Sequence, residues 1–408
     1  MKKRVLILSH WLEIGGAERS LIGLLKAFDY ERYEVDLYLC RHSGELMRLV
    51  PSQVHLLPED DKAAAIARPI ADLCRHPFHF AGILFARVKA KLYLHLHQKK
   101  ARAGTKENIA EIGYAHRFCV RHVKKVNPAV EYDAAISFLA PHYIALKKVR
   151  AKRKIAWIHT DYTAIVTDTR SETPMWNGFD AIAGVSAACC DNFLKAFPKI
   201  TKPVVCIENI LQPDLVREEA RAISPDTIRK DLALAENEVL LCTVGRFCPP
   251  KNMESIPAIC RRLKEMGLQV TWMLIGFGEE EDKVRDAIGQ NNMEDKVLLL
   301  GKKDNPYPYI NACDLYVQPS RYEGKAVTVR EAQILAKPVV ITAFSTAPDQ
   351  VKDGFDGLIV PLDEAQCAVA LAELIRSEEK QKELSENCKK SSFGNEKEIE
   401  KVYDLICH

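Results

Sequence analysis

The chain has 408 residues, 47% hydrophobic and 28% charged, a composition typical of a folded protein and not of a disordered or fibrous one. At roughly 150 residues per domain, this length predicts two or three domains. The thirteen cysteines form no CxxC pair and no apolar run reaches the roughly 18 residues of a membrane-spanning helix, so we expect a cytoplasmic protein with reduced thiols, no signal peptide and no anchor.

Charge and histidine are unevenly distributed along the chain. The net charge is +12 over residues 1–204 and −9 over residues 205–408, for a total of +3. This asymmetry favours an anionic partner for the first half. Eleven of the twelve histidines lie at or before His159 and the last is His408, so the second half offers no internal histidine for a metal site or a catalytic base.

Apolar runs alternate with helical patterns along most of the chain, which predicts an α/β fold of parallel sheets and crossover helices. A polar stretch with two prolines, residues 210–226, is interpreted as the linker between two similar halves. The predicted strands are 5–8, 35–39, 134–138, 154–158, 181–185 and 204–207 in the first half, and 239–244, 270–275, 297–300, 315–317, 339–342 and 358–360 in the second.

Residues 62–125 interrupt this alternation. They contain fourteen Lys or Arg against three Asp or Glu and no clear strand. Such a basic amphipathic segment binds anionic headgroups at a membrane surface, or it packs on its domain with a solvated basic face, and both interpretations stay open. Nucleic acid is not expected, because no helix-turn-helix, zinc or RNA-binding signature is present. The apolar stripe consists of Phe80, Leu84, Val88, Leu92 and Leu96.

The first candidate site is the loop after the first strand. Gly15 and Gly16 precede a helical pattern, so they lie between a strand and a helix N-terminus. Glycine there lets backbone N–H groups approach an anion, although tight turns also use glycine for geometry alone. A G-x-G-x-x-G fingerprint is absent.

Two further candidate sites lie in the second half. Gly245, Arg246 and Lys251 follow the strand 239–244, and an arginine and a lysine at a strand end suit a diphosphate, unless they are solvated surface cations. Glu323 and Glu331 flank a loop-to-helix junction. Two carboxylates and the amides of 325–328 suit a ligand with hydroxyls and a phosphate, such as a nucleotide sugar, although two glutamates alone are more often solvated charges.

In combination, the motifs resemble those of the family 4 retaining glycosyltransferases, also called group 1, which have the GT-B fold. The resemblance extends from about residue 5 to residue 361 and rests on GGAE, GRF-x4-KN, LIGFGEEE, SRYEG-x6-EA, KPVV and DGFDGLIVP. It implies two facing Rossmann-like domains with a central donor cleft. The implied parts are an acceptor-binding domain over 1–210 with a basic insertion at 62–125, a nucleotide-sugar-binding domain over 211–390, and a helix over 391–408 that crosses back to the first domain.

The resemblance also implies roles for individual residues. Arg246 and Lys251 bind the donor diphosphate, Glu323 the sugar hydroxyls and Glu331 the ribose, while His159 contacts the donor sugar. Catalysis is assigned to Arg246, Lys251, Glu323 and His159. One departure is EGKA where the family often has EGFG, which places an extra cation, Lys325, near the donor. The implied donor-binding set is Gly15, Gly16, Gly245, Arg246, Lys251, Glu323, Gly324, Lys325, Ala326, Val327 and Glu331.

The implied function is transfer of a hexosyl-type sugar from a nucleotide diphosphate sugar, UDP favoured, to an acceptor hydroxyl with retention of configuration. No cofactor or metal is expected. The acceptor is a glycan or a lipid-linked sugar of cell-envelope polysaccharide or glycolipid synthesis, with peripheral contact to an anionic membrane on the cytoplasmic face. The alternatives are a sugar-nucleotide epimerase of the same fold and a non-catalytic nucleotide-sugar-binding protein that docks on membranes. A two-domain oxidoreductase lacks its glycine fingerprint.

Overall fold

The computed structural model describes residues 2–97, 107–391 and 393–408, and the chain forms two compact units. The first unit comprises Met1–Ile210 together with Glu396–His408, and the second comprises Leu211–Asn395. Residues 98–106 of the basic segment and residue 392 of the expected last helix lie outside the described residues.

The helices and strands of the first unit up to Ile210 alternate as expected for crossover connections. Its strands are β1 (Lys3–Ser9), β2 (Tyr33–Leu39), β3 (His55–Leu56), β4 (Glu107–Asn108), β5 (Tyr132–Ser137), β6 (Ala151–Ile158), β7 (Ile165–Val166), β8 (Ala181–Gly184) and β9 (Val204–Cys206). Its helices are α1 (Gly16–Ala27), α2 (Asp61–Ala64), α3 (Ile70–Leu73), α4 (Pro77–His97), α5 (Ala110–Cys119), α6 (His142–Lys148), α7 (Thr169–Trp176) and α8 (Ala187–Ala196).

The second unit repeats this alternation, and the last helix of the chain belongs to the first unit. The helices are α9 (Pro213–Glu219), α10 (Pro225–Asp231), α11 (Ile256–Glu265), α12 (Glu281–Asn291), α13 (Tyr307–Ala312), α14 (Val327–Ile334), α15 (Glu364–Arg376), α16 (Glu378–Lys390) and, in the first unit, α17 (Glu398–Cys407). The strands are β10 (Val239–Val244), β11 (Val270–Ile275), β12 (Val297–Gly301), β13 (Leu315–Gln318), β14 (Val339–Thr342) and β15 (Leu358–Val360). Single 3₁₀ turns cover Glu45–Leu49, Val120–His122, Ala220–Ala222, Pro249–Lys251, Met253–Ser255 and Ala347–Asp349.

Each unit is built on one parallel sheet. The orders are β3-β2-β1-β5-β6-β8-β9 in the first unit and β12-β11-β10-β13-β14-β15 in the second. In both sheets the order changes direction beside the first strand of the unit, between β1 and β5 and between β10 and β13. In open parallel sheets, ligands bind outside the carboxyl ends of the strands at this switch point. The loops after these four strands are therefore the places to look for function.

All twelve predicted strands are present, and most of them are apolar runs buried within their sheet. The exceptions are the edge strands β9, β12 and β15, which are partly exposed but are still apolar runs bounded by turn residues. The structure adds β3, β4 and β7, which are only two residues long and leave no pattern of alternation in the sequence. One of them, β4, lies in the basic segment, where no strand was expected, and it pairs with β7.

The linker prediction for residues 210–226 is wrong over most of that stretch, because it folds into helix. The prolines occupy the first turns of α9 and α10, where the missing N–H costs nothing, and the Ser224 side chain caps α10. Val216, Ala220 and Ile228 then enter the core of the second unit, with at most 3% of each exposed. Proline here starts helices.

Helix α4 is present, and only the first part of the predicted apolar stripe, Phe80 and Leu84, packs against the core. Phe80 is buried, whereas Val88, Leu92 and Leu96 are more than half exposed. The reason is geometric: a strict four-residue repeat rotates by about 40° per step around a helix of 3.6 residues per turn. The described part of the chain contains no helix with the length and apolarity to cross a membrane.

Helix α17 packs on the first unit near the amino ends of its strands. The Tyr403 ring stacks on Tyr33 with centroids 4.5 Å apart, and the backbone N–H of Asp29 donates to the Tyr403 hydroxyl at 2.6 Å. Val402 and Ile406 are buried in the same core. The last helix therefore completes the hydrophobic core of the first unit.

Candidate functional site

The loop after β10 carries the predicted cations of the second unit. It runs through Gly245 and half-buried Arg246 into the 3₁₀ turn that ends at Lys251. Asn252 follows in the left-handed conformation, with φ 55°, and its buried side-chain amide donates to the Pro319 carbonyl at 3.1 Å. This bond ties the loop to the segment that follows β13, across the switch point of the sheet.

Two predicted site residues that are far apart in sequence meet here. Lys251 Nζ lies 2.5 Å from Glu323 Oε1, and only 19% of the lysine side chain and 11% of the glutamate side chain are exposed. An ion pair this far removed from water is only weakly screened by salt. Because an ammonium has three donor hydrogens, Lys251 keeps donors for a second anionic group.

A chain of hydrogen bonds between buried side chains holds Glu323 in place. The Tyr316 hydroxyl donates to Gln318 Oε1 at 2.8 Å, Gln318 Nε2 donates to Ser320 Oγ at 3.0 Å, and Ser320 Oγ donates to Glu323 Oε1 at 2.7 Å. Tyr316, Gln318 and Ser320 are all fully buried. The carboxylate is thus oriented before any ligand arrives, as a preorganised site requires.

Glu331 lies inside α14, as predicted, and is completely buried. Its Oε1 accepts a hydrogen bond from the Tyr307 hydroxyl at 2.8 Å. Tyr307 is the first residue of α13 and was not singled out from the sequence, because a tyrosine at the start of a short helix is ordinary.

The predicted row of free amides before α14 is only partly available. The Ala326 N–H donates to Gln350 Oε1 at 3.0 Å, and Gln350 Nε2 donates back to the Ala326 carbonyl at 2.5 Å. Contrary to the expectation, the Ala326 amide is satisfied within the protein, because Gln350 acts as a buried side-chain cap. Gly324, Lys325 and Val327 do lie beside it at the junction, and the Lys325 ammonium nitrogen is buried.

The glycines of the GFG segment after β11 allow two loops to touch through their backbones. A Cβ on Gly276, which has φ +150°, would lie 1.8 Å from the Gly245 carbonyl oxygen. A Cβ on Gly278 would lie 2.1 Å from the Phe247 carbonyl oxygen. The loop that carries Arg246 is therefore packed against a backbone that only glycine can form.

In the first unit, the predicted glycine loop begins α1. Gly15 is the extended N-cap residue and Gly16 is the first helical residue. Glu18 is buried in the first turn. The loop thus has the strand–turn–helix geometry in which backbone N–H groups face an anion.

His159 directly follows β6 and belongs to a cluster of buried and half-buried histidines at the carboxyl end of the sheet. Burial lowers the pKa of His159 to about 3, and its ring hydrogen-bonds the backbone of Phe138. The His159 Nε2 atom has no hydrogen-bond partner in the described part of the chain. His10, directly after β1, has the same unpartnered Nε2, and burial lowers its pKa to about 4.

The sequence analysis did not identify the other members of this cluster. The His142 ring lies 2.8 Å from the Ser137 hydroxyl at the end of β5, and burial lowers its pKa to about 3. The His116 ring, on α5, lies 5.7 Å from the His10 ring, and burial holds its pKa well below the usual value. The uneven histidine count was the available signal, since three of these histidines lie at or just after predicted strand ends. Neutral imidazoles at a strand edge suit uncharged hydroxyl groups.

Comparison with known proteins identifies the second unit. Residues 224–391 match the family model of the group 1 glycosyl transferases. These residues form a group 1 glycosyltransferase domain. It includes the β10 and β13 loops with Arg246, Lys251, Glu323 and Glu331.

Two curated glycosyltransferases are similar to this chain in sequence. The chain is 25% identical over 186 residues to the UDP-Gal:alpha-D-GlcNAc-diphosphoundecaprenol alpha-1,3-galactosyltransferase of Escherichia coli, a match that covers 44% of this chain and about half, 48%, of that protein. It is 26% identical over 308 residues to an uncharacterized glycosyltransferase of Methanocaldococcus jannaschii, covering 70% of this chain and 84% of the relative.

Solved structures extend the likeness of the fold to the whole chain. The Anabaena protein HepE, solved in complex with UDP and glucose, superimposes with a TM-score of 0.68 and 18% identity, covering 99% of both chains. The glycosyltransferase domain therefore lies in a chain with the GT-B fold, which confirms the predicted fold and, over residues 224–391, the resemblance to the group 1 glycosyltransferases.

Proposed function

We propose that this protein transfers a hexosyl-type sugar from a UDP-sugar to an acceptor hydroxyl with retention of the anomeric configuration. The observation that carries the proposal is the Lys251–Glu323 pair, held at the switch point of a sheet that matches the group 1 glycosyltransferases. One member of the pair suits a phosphate and the other suits sugar hydroxyls. Both are positioned by buried neighbours.

The proposed chemistry concentrates on charge at the leaving group. As the bond from the anomeric carbon to the diphosphate breaks, Arg246 and Lys251 stabilise the negative charge that develops on the phosphate oxygen. The acceptor hydroxyl attacks the same face of the sugar, and its proton passes to the departing phosphate. Gly15 and Gly16 contribute backbone amides, and Lys325 supplies a further cation. We propose that these cations replace a metal ion in this role.

The remaining residues are proposed to position the donor. Glu323 accepts hydrogen bonds from the sugar hydroxyls, and Glu331, fixed by Tyr307, binds the ribose. His159 offers the donor sugar a neutral imidazole whose Nε2 has no partner in the described structure. A neutral ring binds a hydroxyl without attracting a competing anion.

The acceptor is proposed to be a lipid-linked sugar or a growing polysaccharide at the cytoplasmic face of a membrane. The relative from Escherichia coli acts on a diphosphoundecaprenol-linked sugar, which supports this choice of substrate class. In the described part of the chain, none of the thirteen cysteines forms a disulfide, a pattern typical of proteins in a reducing compartment.

A thermal-shift panel tests the donor site. Purified protein would be heated with UDP, GDP, ADP, CDP or NAD, each with and without EDTA. At about 100 times its dissociation constant a ligand adds about 2.7 kcal/mol of stability, which is readily detected. We expect UDP to raise the melting temperature equally with and without EDTA. Stabilisation by NAD alone, or by none of the diphosphates, would contradict the proposal.

Retention is tested on the product. Incubation with a UDP-α-sugar and a simple hydroxyl acceptor is expected to yield an α-linked product, detected through the coupling constant of its anomeric proton. A β-linked product would show that the sugar is inverted. An isomerised UDP-sugar without any transfer would indicate the epimerase alternative.

A further inference from the structure

Helix α4 carries an apolar row on its outer side that the described residues of the unit leave exposed. Phe78 is 97% exposed, and the other large members of the row are between 57% and 65% exposed. The inner side of the same helix is formed by Phe80, Ile83, Ala86 and Ala90, all buried. The exposed row consists of Phe78, Phe85, Val88, Leu92 and Leu96.

The row is continuous along the helix. At about 100° per residue its members fall within one third of the circumference, opposite the buried side. From Phe78 to Leu96 it extends about 27 Å, at 1.5 Å per residue. An uncovered apolar strip of this length on a folded domain marks an interaction surface.

Positive charge borders the row on both sides. By the same helical geometry Lys89 lies on one side and Lys91 lies on the other, and both are exposed. Helix α4 contains no Asp or Glu. A second copy of this chain placed symmetrically on the row would bring like charges together, whereas an anionic surface would neutralise them.

We infer that the outer face of α4, defined by the exposed row with Lys89 and Lys91, docks the protein on an anionic lipid bilayer. The apolar row enters the boundary between headgroups and acyl chains, and the lysines contact the headgroups. This inference deepens the proposed function, since a surface-bound enzyme reaches an acceptor whose sugar is attached to a lipid.

The position of α4 fits this purpose. Ala90 packs with Ala110 and Tyr114 of α5, and the Tyr93 and Tyr114 rings are 4.8 Å apart. His116 of α5 in turn lies against His10 at the carboxyl end of β1. Helix α5 therefore contacts both the helix that carries the docking face and the candidate site of the first unit.

Sedimentation with vesicles tests the inference. The whole protein would be mixed with vesicles of phosphatidylcholine alone, or of equal parts phosphatidylcholine and phosphatidylglycerol, at low and at high salt. We expect binding to the anionic vesicles and weaker binding at high salt. A Phe85→Ser, Leu92→Ser double variant is expected to bind at least tenfold more weakly, because two apolar side chains of the row are lost. The variant is expected to fold normally, because the buried side of α4 is unchanged.

Matched variants show which side chains are responsible for any loss of vesicle binding. Lys89→Gln with Lys91→Gln is expected to weaken binding to anionic vesicles, at about fivefold per lysine. Phe355→Ser, at an exposed phenylalanine of the second unit, and Lys382→Gln with Lys390→Gln serve as controls and are expected to bind like the wild type.

Two results would overturn the inference. The first is equal vesicle binding by the wild type and the Phe85→Ser, Leu92→Ser variant. The second is a dimer, seen by analytical ultracentrifugation, that this variant loses, because the row would then bind a second copy. UDP-induced stabilisation is measured on every variant. If UDP did not stabilise the wild type, only the proposed function would be contradicted. If UDP still stabilised a variant that no longer binds vesicles, docking would be separate from donor binding.

Discussion

At the scale of single residues, Arg246 tests the proposed chemistry most directly. Replacing it with alanine removes one cation from the leaving group, and the loss of one such donor lowers turnover about 10²- to 10³-fold. We expect kcat to fall at least a hundredfold while the unfolding midpoint stays close to that of the wild type. The measurement is turnover at saturating donor.

The matched control for this prediction is Arg285→Ala. Arg285 is an exposed residue of α12 that pairs with Glu281 on the same helix, so its loss affects no part of the candidate site. Turnover of the Arg246 variant near the wild-type value would show that another group stabilises the leaving phosphate.

Sequence reasoning found the charged residues of the site but not the contacts between them. Lys251 and Glu323 could be named because the motifs around them resemble those of the group 1 glycosyltransferases, whereas each charge taken alone would also suit a solvated surface. Their direct contact depends on the neighbouring positions of β10 and β13 in the sheet, which the chain order alone leaves open. The Ala326 amide was predicted to be free for a ligand, but it donates its hydrogen bond to Gln350, which is distant in sequence.

At the scale of elements, the loop after β11 supports the loop that holds Arg246. We expect Gly278→Ala to weaken UDP binding at least tenfold, because the new methyl group would collide with the Phe247 carbonyl and displace the Arg246 loop. The measurement is UDP affinity by calorimetry.

Gly289→Ala is the control for this loop. Its new Cβ meets only the Glu294 carboxylate at 3.9 Å, and the residue lies within α12, where alanine favours the helix by up to about 1 kcal/mol over glycine. If Gly278→Ala bound UDP as tightly as Gly289→Ala, the close approach of the two loops would have no role in binding.

Elements were predictable where a pattern depends on burial alone. Strands such as β10 are continuous apolar runs and are found at their predicted positions. The outer row of α4 was only partly predictable: Val88, Leu92 and Leu96 belong to the predicted stripe, but the sequence does not show whether an apolar side chain faces solvent or the core. The helices α9 and α10 were missed because only three buried side chains hold this otherwise polar stretch against the core.

At the scale of the whole molecule, the buried histidines make the stability of the first unit depend on pH. In the folded protein the pKa is about 4 for His10 and about 3 for His142 and His159. The unfolded chain binds these protons near pH 6.5, so acid favours unfolding. Each histidine therefore removes about 1.4 kcal/mol per pH unit as the pH falls below 6.5.

Glu172 opposes this trend. Burial raises the pKa of Glu172 to about 7, so the folded protein binds this proton at a higher pH than the unfolded chain does. Between pH 7 and the ordinary glutamate pKa near 4.5, lowering the pH therefore stabilises the fold through this group. One such group against four histidines, the three above and His116, leaves a net loss of stability. The measurement is urea unfolding at pH 6.5 and at pH 5, followed by tryptophan fluorescence, to which Trp11, Trp157 and Trp176 of the first unit and Trp272 of the second contribute.

A His142→Gln variant isolates the effect. Glutamine is able to hydrogen-bond Ser137 but does not titrate, so the stability of the variant is expected to fall less steeply with acid, by about 1.4 kcal/mol per pH unit. Equal slopes for the variant and the wild type would show that His142 is protonated in the folded protein.

The membership of α17 in the first unit has a consequence for synthesis on the ribosome. The 185 residues of Leu211–Asn395 must be translated between the body of the first unit and its last helix. At 5–20 residues per second this takes about 10 to 40 s. During that time the surface around Phe28 and Tyr33 lacks its partner Tyr403 and remains open to chaperones or to neighbouring nascent chains.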